Sequence, residues 1–414
     1  MRDYSIQELL GKNNLIIYGA GLIAHSVIIY LKEHMENFKN QVVCCTVTDE
    51  RHIAAEVEGV PVYGIDYCVK EYKDAFYIIS AKKIYIPGIE EELLKRKVRD
   101  YQVFELERIV QLLEADLKRE SPDRFKMFCN AEKKNGMSDE SYISFLSRQL
   151  KRRQFDFEIS VVDHCNLNCQ CCNHFSPIAD RFFLDEEVLQ KDLVRLAELL
   201  ENDVGKIMLL GGEPLLHPRL EAVVGITRKH MPKATIDIVT NGVLLTRMPS
   251  SFWECLNKNR VGLSVTKYPI SFDYSKCEDL ANKYGVNYTY GNNPEPIKTT
   301  YLMPINDNPS YDPFSMYMRC AHANYCNVLK DGLIYNCSFT PNVHYYNKYF
   351  RKNIPCEDET SISIYDVNSW EEIEEFLKRP NLMCAHCDIC GYIYDIPWAV
   401  SKKDVYEWMG KRAD

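Results

Sequence analysis

Short apolar runs alternate with amphipathic stretches along the first hundred residues, a pattern typical of β/α structure. Apolar runs at residues 15–18, 42–47 and 76–79 predict buried strands, and residues 23–31 predict a helix after the first strand. Strands connected by helices lie parallel in one sheet. The pattern therefore predicts an N-terminal β/α domain over residues 1–110.

A turn of small residues follows the first predicted strand. Gly19, Gly21 and Ala24 give a GxGxxA pattern, and Asp49 follows the second strand, near the position of a ribose-binding acid. Such a turn lets a phosphate approach the N–H groups that begin a helix. Tight packing of a strand on a helix requires the same small residues, so nucleotide binding and simple packing both remain open.

A second alternation begins at residue 155, after a charged, helical linker predicted over residues 111–154 that contains Lys151, Arg152 and Arg153. Strands are predicted at 157–162, 206–210, 236–239, 262–266, 286–290 and 300–304. Helices are predicted at 186–200, 218–229, 252–258 and 274–283. We therefore predict an α/β fold in which residues 155–312 form a partial (β/α)6 TIM barrel, with its chemistry at the carboxyl ends of the strands.

The pattern changes beyond Tyr311 to cysteines, aromatic residues and short strands. Asp331-Gly332 lies between two short apolar runs and predicts a β-hairpin of residues 327–329 and 333–335. Residues 313–414 are therefore expected to form a small, cysteine-rich α+β module.

Composition and charge exclude several classes of protein. The 414 residues are 46% hydrophobic and 26% charged with a net charge of −9, which is typical of a folded globular chain and disfavours a nucleic-acid-binding surface. The longest apolar stretch, residues 15–31, is interrupted by Gly19, Gly21 and His25 and is shorter than the ~20 residues that span a bilayer. We expect no membrane span, no signal peptide and a cytoplasmic location.

Seventeen cysteines are unusual for a chain of this length. They crowd into two short segments, too closely for ordinary disulfide bridges, and the crowded residues are Cys165, Cys169, Cys171 and Cys172, then Cys384, Cys387 and Cys390. This spacing favours metal or iron–sulfur ligation in a reducing compartment.

The first segment has CxxxCxxC spacing in the loop that leaves the first strand of the predicted barrel. Cys165, Cys169 and Cys172 would hold three irons of a 4Fe-4S cluster and leave the fourth iron open. A zinc site would require a nearby fourth ligand, and none is obvious. The segment resembles the cysteine motif of the radical S-adenosylmethionine (SAM) superfamily. That resemblance implies reductive cleavage of SAM to a 5′-deoxyadenosyl radical.

A second motif follows the next predicted strand and resembles the GGEP motif of the same superfamily. The resemblance implies that Gly211, Gly212, Glu213 and Pro214 bind the methionyl ammonium of SAM. Weaker likenesses implicate Asn241 and Ser264 in binding the same cofactor. Cys171 stands where these enzymes often have an aromatic residue, and we expect it to be a thiol that does not bind iron.

The cysteines of the C-terminal module resemble the twitch or SPASM extension of radical SAM enzymes. The shorter twitch form implies one auxiliary 4Fe-4S cluster on Cys320, Cys337, Cys384 and Cys387. Cys326 and Cys390 are alternative ligands.

The remaining candidates have ordinary explanations. His164, His174 and His217 flank the two motifs, but loop packing explains each equally well. Trp398 and Trp408 are interpreted as packing residues that close the module. No catalytic residue is therefore assigned from the sequence.

The substrate is inferred from the N-terminal domain. Its Gly-Val-Pro-Val-Tyr-Gly segment, residues 59–64, resembles Rossmann-like domains associated with nucleotide sugars. We therefore expect oxidation or epimerisation of a sugar, polyol or nucleotide-linked glycan, with electrons supplied by a flavodoxin or ferredoxin. The alternatives are a peptide maturase that forms a thioether or carbon crosslink and a sensor without catalytic activity.

Overall fold

The computed structural model describes residues 6–48, 55–82, 85–118, 155–291, 296, 299–320, 322–323, 326–356 and 360–410. The chain divides into two compact units, Met1–Lys151 and Arg152–Asp414. Asp49 and most of the predicted linker, including Lys151, Arg152 and Arg153, lie outside the described residues.

The first unit alternates strands and helices. Its strands are β1 (Leu15–Tyr18), β2 (Val42–Val47), β3 (Glu56–Val57), β4 (Val60–Gly64), β5 (Phe76–Ile79) and β6 (Tyr101–Val103). Its helices are α1 (Ile6–Leu10), α2 (Leu22–His34), α3 (Phe38–Gln41), α4 (Ile65–Glu71), α5 (Ile86–Lys95) and α6 (Leu106–Lys118). The three strands expected from the apolar runs are confirmed at their predicted positions.

The sheet of the first unit has the order β3-β4-β2-β1-β5-β6 among the described residues. All its pairings except β3 with β4 are parallel. Chain connections reverse direction between β1 and β5, and ligands of doubly wound sheets bind beside such a reversal. The β1 and β5 side chains are all buried, which explains their continuous apolar runs.

The turn after β1 crosses the chain that leaves β5. Gly19 has φ of +139°, and a Cβ atom there would lie 2.4 Å from the carbonyl oxygen of Ser80. A Cβ atom at Gly21 would meet nothing within 4 Å. Packing therefore requires the first glycine of the GxGxxA turn, but it does not require the second.

The second unit begins with a repeated strand-helix pattern. Its first strands are β7 (Phe155–Val162), β8 (Val204–Gly211), β9 (Thr235–Thr240), β10 (Val261–Val265), β11 (Tyr288–Tyr290) and β12 (Thr299–Leu302). The helices between them are α7 (Glu186–Leu199), α8 (Leu220–His230), α9 (Ser250–Asn259) and α10 (Ser275–Tyr284).

The remaining elements of this unit are shorter. They are α11 (Pro313–Arg319), β13 (Val328–Lys330), β14 (Leu333–Tyr335), α12 (Val343–Phe350), β15 (Ser361–Ser363), α13 (Trp370–Leu377), β16 (Ile393–Pro397) and α14 (Tyr406–Met409). The predicted hairpin is β13 and β14, paired antiparallel around Asp331 and Gly332, whose φ angles are 50° and 75°.

The described strands form a sheet of order β11-β10-β9-β8-β7-β13-β14-β15. Neighbours from β11 to β13 pair parallel, as a partial barrel requires. The α/β class and the parallel sheet are confirmed. The strand predicted at 300–304 forms as β12, but its predicted place in the parallel sheet is wrong, because β12 pairs antiparallel with β16. The sixth parallel strand is β13, which pairs with β7.

Since β13, β14 and β15 join this sheet, the C-terminal cysteines share one compact unit with the β/α repeat. The division at residues 312 and 313 stays a prediction. None of the helices in the described ranges combines the length and the apolar character that a bilayer span requires.

Candidate functional site

The CxxxCxxC loop leaves the carboxyl end of β7. Burial is the main cause that raises the pKa of Cys165 to about 12 and of Cys169 to about 11, and the neighbouring Cys172 thiol contributes to both shifts. N–H groups oppose this effect, since the Leu167 amide donates to Cys165 Sγ at 3.5 Å. The loop thus gathers three thiols around a common region with hydrogen-bond donors directed at sulfur.

Left-handed residues give this loop its shape. Asn168 and Cys171 have φ angles of 48° and 58°, which turn the chain between the outer cysteines. The Cys171 side chain is buried, and its pKa is raised to about 11 by burial and by the charges of Glu407 and Cys172. Glu407, in the C-terminal part of the chain, is therefore close enough to influence the pKa of Cys171.

Two glycines bring the end of β8 against the root of the cysteine loop. A Cβ atom on Gly211 would lie 2.1 Å from the Val162 carbonyl oxygen, and one on Gly212 would lie 2.0 Å from the His164 carbonyl oxygen. The Gly212 amide donates to the Val162 carbonyl at 2.6 Å. The Gly-Gly pair is therefore required by the neighbouring backbone.

Glu213 is fully buried at the carboxyl ends of β8 and β9. Its carboxylate accepts hydrogen bonds from Thr240 Oγ1 (2.6 Å) and from the amides of Leu215 (3.0 Å) and Asn241 (3.0 Å). Burial nevertheless raises its pKa to about 7. A buried carboxylate with a pKa near neutrality is suited to bind a cationic group.

Asn241 connects this carboxylate to the cysteine loop. Its side-chain amide donates to Asn166 Oδ1 at 2.7 Å and lies 3.9 Å from Cys165 Sγ. The structure therefore brings Glu213, Asn241 and the cysteine loop together. Pro214 begins the turn after Glu213, whereas Ser264 lies within β10, paired in register with Val239.

The donor set of the loop consists of three thiols, and thiolates are the ligands that iron–sulfur clusters take. Among the described residues, no three His, Cys, Asp or Glu side chains converge in a way that would hold one metal ion. A tetrahedral zinc site needs four such ligands around one point, whereas a cube binds thiolates that stand further apart. Cys165, Cys169 and Cys172 are the thiols that would hold the cluster.

A second set of thiols lies in the C-terminal half of the same unit. Cys320, Cys337, Cys384 and Cys387 are all buried; burial raises the pKa of Cys387, and the charges of the other three raise it further. Amides donate to two of these sulfurs, from Ala323 to Cys320 and from Phe339 to Cys337, both at 3.4 Å. The structure thus brings the four predicted auxiliary ligands together.

The two alternative ligands differ from each other in position. Cys326 lies beside this set, where burial and the hydrogen-bonded carboxyl group of Glu158 on β7 both raise its pKa. Cys390 is exposed. The assignment of Cys320, Cys337, Cys384 and Cys387 as ligands stays a prediction.

Polar and aromatic side chains lie between the two groups of cysteines. Tyr301 of β12 accepts a hydrogen bond from Asn173, next to Cys172, at 3.2 Å, and its hydroxyl is 3.4 Å from His322 Nε2. The Tyr392 ring stacks on Tyr394 with 5.5 Å between centroids. Tyr301 and Tyr394 are exposed, so this wall offers hydroxyl, imidazole and ring surfaces to a ligand.

A buried ion pair lies below the cysteine loop. Asp163, two residues before Cys165, accepts from Lys330 Nζ of β13 at 2.7 Å and from the Tyr345 hydroxyl at 2.7 Å. Lys330 also donates to Asn342 Oδ1 at 2.8 Å. The pair fixes the end of β7 against the C-terminal elements.

The histidines beside the motifs have structural partners. His217 uses both ring nitrogens, near the Leu184 carbonyl (3.0 Å) and the Arg219 amide (3.2 Å). His164 packs edge-on against Phe183. His174 is half-buried, and removal from water lowers its pKa to about 4. These contacts agree with the packing interpretation of His164 and His217.

Sequence reasoning missed two neighbours of Cys169. The Trp398 indole N–H donates to Cys169 Sγ at 3.1 Å, and the Tyr268 hydroxyl also hydrogen-bonds this sulfur. The interpretation of Trp398 as a packing residue is therefore incomplete, and no spacing signal connects it with the loop. Trp408 is a packing residue as expected, buried against Phe175.

A comparison with protein families matches residues 159–274 to the radical SAM superfamily. Proteins of this superfamily use a 4Fe-4S cluster and SAM. The matched region contains the cysteine loop, Glu213 and Asn241, and its strands are β7 to β10.

Among curated proteins, GTP 3′,8-cyclase 2 of Mycobacterium bovis is 34% identical over 113 residues, or 27% of this chain. The alignment covers 31% of that relative, so the chain matches about a third of its length.

Among solved structures, BtrN in complex with AdoMet and 2-DOIA matches with 19% identity and a TM-score of 0.36, covering 58% of this chain and 94% of BtrN. Streptococcus suis SuiB bound to the precursor peptide SuiA matches with 16% identity and a TM-score of 0.26, covering 55% and 46% of the two chains.

Proposed function

We propose that this chain, whose residues 159–274 form a radical SAM domain, abstracts hydrogen from a carbinol carbon of a sugar, polyol or nucleotide-linked glycan. The outcome is oxidation or epimerisation of that carbon. The observation that carries the proposal is the grouping of three loop thiols with Glu213 and Asn241 at the carboxyl ends of β7, β8 and β9.

The residues of the chain have distinct tasks in this proposal. When bound at Cys165, Cys169 and Cys172, a 4Fe-4S cluster supplies the electron that cleaves SAM to a 5′-deoxyadenosyl radical. The buried carboxylate of Glu213 accepts a hydrogen bond from the methionyl ammonium, because the positive charge of the ammonium compensates its negative charge. Asn241 connects Glu213 to the cysteine loop, because its backbone amide donates to Glu213 and its side chain donates to Asn166.

The second set of cysteines favours oxidation over epimerisation. Loss of one hydrogen atom and one proton from a carbinol leaves one electron that must be removed to give a ketone. An auxiliary 4Fe-4S cluster on Cys320, Cys337, Cys384 and Cys387 would supply the acceptor. Flavodoxin or ferredoxin is proposed as the external electron donor to the first site.

The wall between the cysteine groups supports a substrate rich in hydroxyl groups. The Tyr301 hydroxyl lies 3.2 Å from the Asn173 amide and 3.4 Å from His322 Nε2, so the three side chains present a row of hydrogen-bonding atoms. Exposed tyrosine rings provide flat apolar faces against which the C–H faces of a sugar pack.

The N-terminal unit supports a nucleotide-linked form of the substrate. Its strand order reverses between β1 and β5, and the glycine turn lies at that reversal. The relative from Mycobacterium bovis is named for GTP, a nucleotide, although the alignment covers 31% of it.

The test is anaerobic turnover of reconstituted protein with SAM, reductant and nucleotide sugars deuterated at each carbinol carbon. We expect deuterium in 5′-deoxyadenosine together with a ketone product. Solvent hydrogen at an inverted centre would instead indicate epimerisation. Turnover of a precursor peptide alone would support the peptide maturase, and failure to cleave SAM would contradict enzymatic radical chemistry.

A further inference from the structure

The chain after β16 lies along the cysteine loop as an added strand. Cys169 and Val400 form an antiparallel bridge. The Gln170 amide donates to the Ala399 carbonyl at 3.0 Å, and the Ser401 amide donates to the Asn168 carbonyl at 2.7 Å. We call residues 397–408 the C-terminal clasp.

Both ends of the clasp are fixed to the same loop. At one end, the Gln170 side chain donates to the Pro397 carbonyl. At the other end, the Trp408 indole N–H donates to the Cys172 carbonyl at 2.9 Å, and its ring is buried against Phe175. The clasp therefore has a defined register relative to Cys169 and Cys172.

This register places one indole N–H on a sulfur atom. Trp398 Nε1 donates to Cys169 Sγ at 3.1 Å, and the Trp398 ring lies 5.9 Å from the Tyr268 ring. A donor directed at a thiolate sulfur stabilises negative charge there. Reduction of an iron–sulfur cluster adds negative charge that spreads onto its sulfurs, so hydrogen bonds to sulfur raise the reduction potential.

We propose that Trp398 is a positioning residue that raises the reduction potential of the cluster held by Cys169, and that the C-terminal clasp exists to hold its indole there. This inference rests on the proposed function only in requiring a cluster at Cys165, Cys169 and Cys172. It is independent of the substrate. Trp398 acts through the sulfur and touches no reacting atom.

The experiment compares Trp398→Phe with Trp408→Phe in full-length, reconstituted protein. Both changes remove an indole N–H from the clasp, but only the Trp398 N–H points at sulfur. The readout is the midpoint potential from a redox titration followed by electron paramagnetic resonance. The relevant cluster is identified as the one whose signal changes when SAM is added.

We expect Trp398→Phe to make reduction about tenfold less favourable, a fall of about 59 mV for one electron, and Trp408→Phe to leave the potential near that of the parent. An assembled Trp398→Phe cluster with an unchanged potential would overturn the inference while leaving the proposed function intact. An equal fall in both variants would also overturn it if the Trp398 nitrogen stays coupled to the cluster in Trp408→Phe, because the potential would then not depend on the Trp398 N–H.

A measurement on the parent protein covers the case in which Trp398→Phe fails to assemble a cluster. With ¹⁵N-labelled indole, pulsed electron paramagnetic resonance should detect one nitrogen coupled to the SAM-responsive cluster, and the coupling should persist in Trp408→Phe. Absence of that coupling would overturn the role of Trp398. Absence of any SAM-responsive cluster would overturn the proposed function together with the inference.

Discussion

The two glycines of the turn after β1 differ in the space that is available for a side chain. Gly19 has φ of +139° and no room for a Cβ atom beside Ser80, whereas Gly21 faces open space. We expect Gly19→Ala to destabilise the first unit by roughly 2–4 kcal/mol through strain and overlap. Gly21→Ala is the matched control and should change the unfolding free energy by less than about 1 kcal/mol.

Urea unfolding of the two variants measures this difference. Equal destabilisation would contradict the packing role assigned to Gly19. If Gly21→Ala stays folded but loses nucleotide binding, the turn is a ligand site as well as a packing site. This result would separate the two interpretations that the GxGxxA pattern leaves open.

Glu213 permits a prediction about pH. Burial raises its pKa to about 7, so below this pH the carboxyl is increasingly protonated and loses the charge that attracts an ammonium group. SAM affinity should therefore fall as the pH falls through 7. Glu213→Gln should bind SAM about ten- to a hundredfold more weakly at pH 8 and lose this pH dependence.

Equilibrium binding of SAM to reconstituted protein measures both effects. Glu254→Gln, on the exposed side of α9, is the matched control and should bind as the parent does. An unchanged affinity in Glu213→Gln would remove Glu213 from the proposed cofactor site.

For single residues, the sequence predicts a function only where the residue belongs to a short motif with a characteristic spacing. The loop cysteines and Glu213 lie in short motifs, so their types and spacing are enough to indicate their chemistry. Trp398 contacts Cys169 across 229 positions in sequence, and no local pattern encodes that pairing. Its contact depends on the register of the C-terminal clasp.

Among the strands and helices, the position of a strand is easier to predict than its partner. Residues 300–304 have the apolar character of a strand, and β12 forms at Thr299–Leu302, but it pairs with β16. The sixth parallel strand is instead β13, which begins after a cysteine-rich stretch and pairs with β7. Strand pairing depends on long-range contacts, which the apolar pattern of one segment does not specify.

The buried ion pair gives a prediction about how β13 is held. Lys330 is buried and its partner Asp163 lies at the end of β7, so Lys330→Met leaves a buried carboxylate without its cation. We expect a loss of about 3–5 kcal/mol in the unfolding free energy of the metal-free protein.

Lys348→Met is the matched control for that change. Lys348 pairs with Asp180 at 2.6 Å, but both side chains are largely exposed, so the loss should be about 1 kcal/mol or less. Urea unfolding compares the two. If Lys330→Met costs no more than Lys348→Met, the Asp163–Lys330 pair does not stabilise the junction of β7 and β13.

Over the chain as a whole, the two cysteine groups belong to one compact unit, and their stoichiometry tests the arrangement. Two 4Fe-4S clusters require about eight irons per chain. Cys337 is buried among the other auxiliary thiols, so Cys337→Ala should reduce the count to about four and leave the SAM-responsive signal in place.

The alternative ligands supply the controls for this count. Cys390 is exposed, so Cys390→Ala should keep about eight irons. Cys326→Ala should do the same, because its thiol is hydrogen-bonded to Glu158. If the iron count of Cys326→Ala also falls to about four, Cys326 is a ligand. One of the four predicted ligands, Cys320, Cys337, Cys384 and Cys387, is then not a ligand. Iron and sulfide analysis of anaerobically reconstituted protein decides which four cysteines are the ligands. A variant that lacks a true ligand loses the auxiliary cluster, whereas a variant that lacks any other cysteine keeps it.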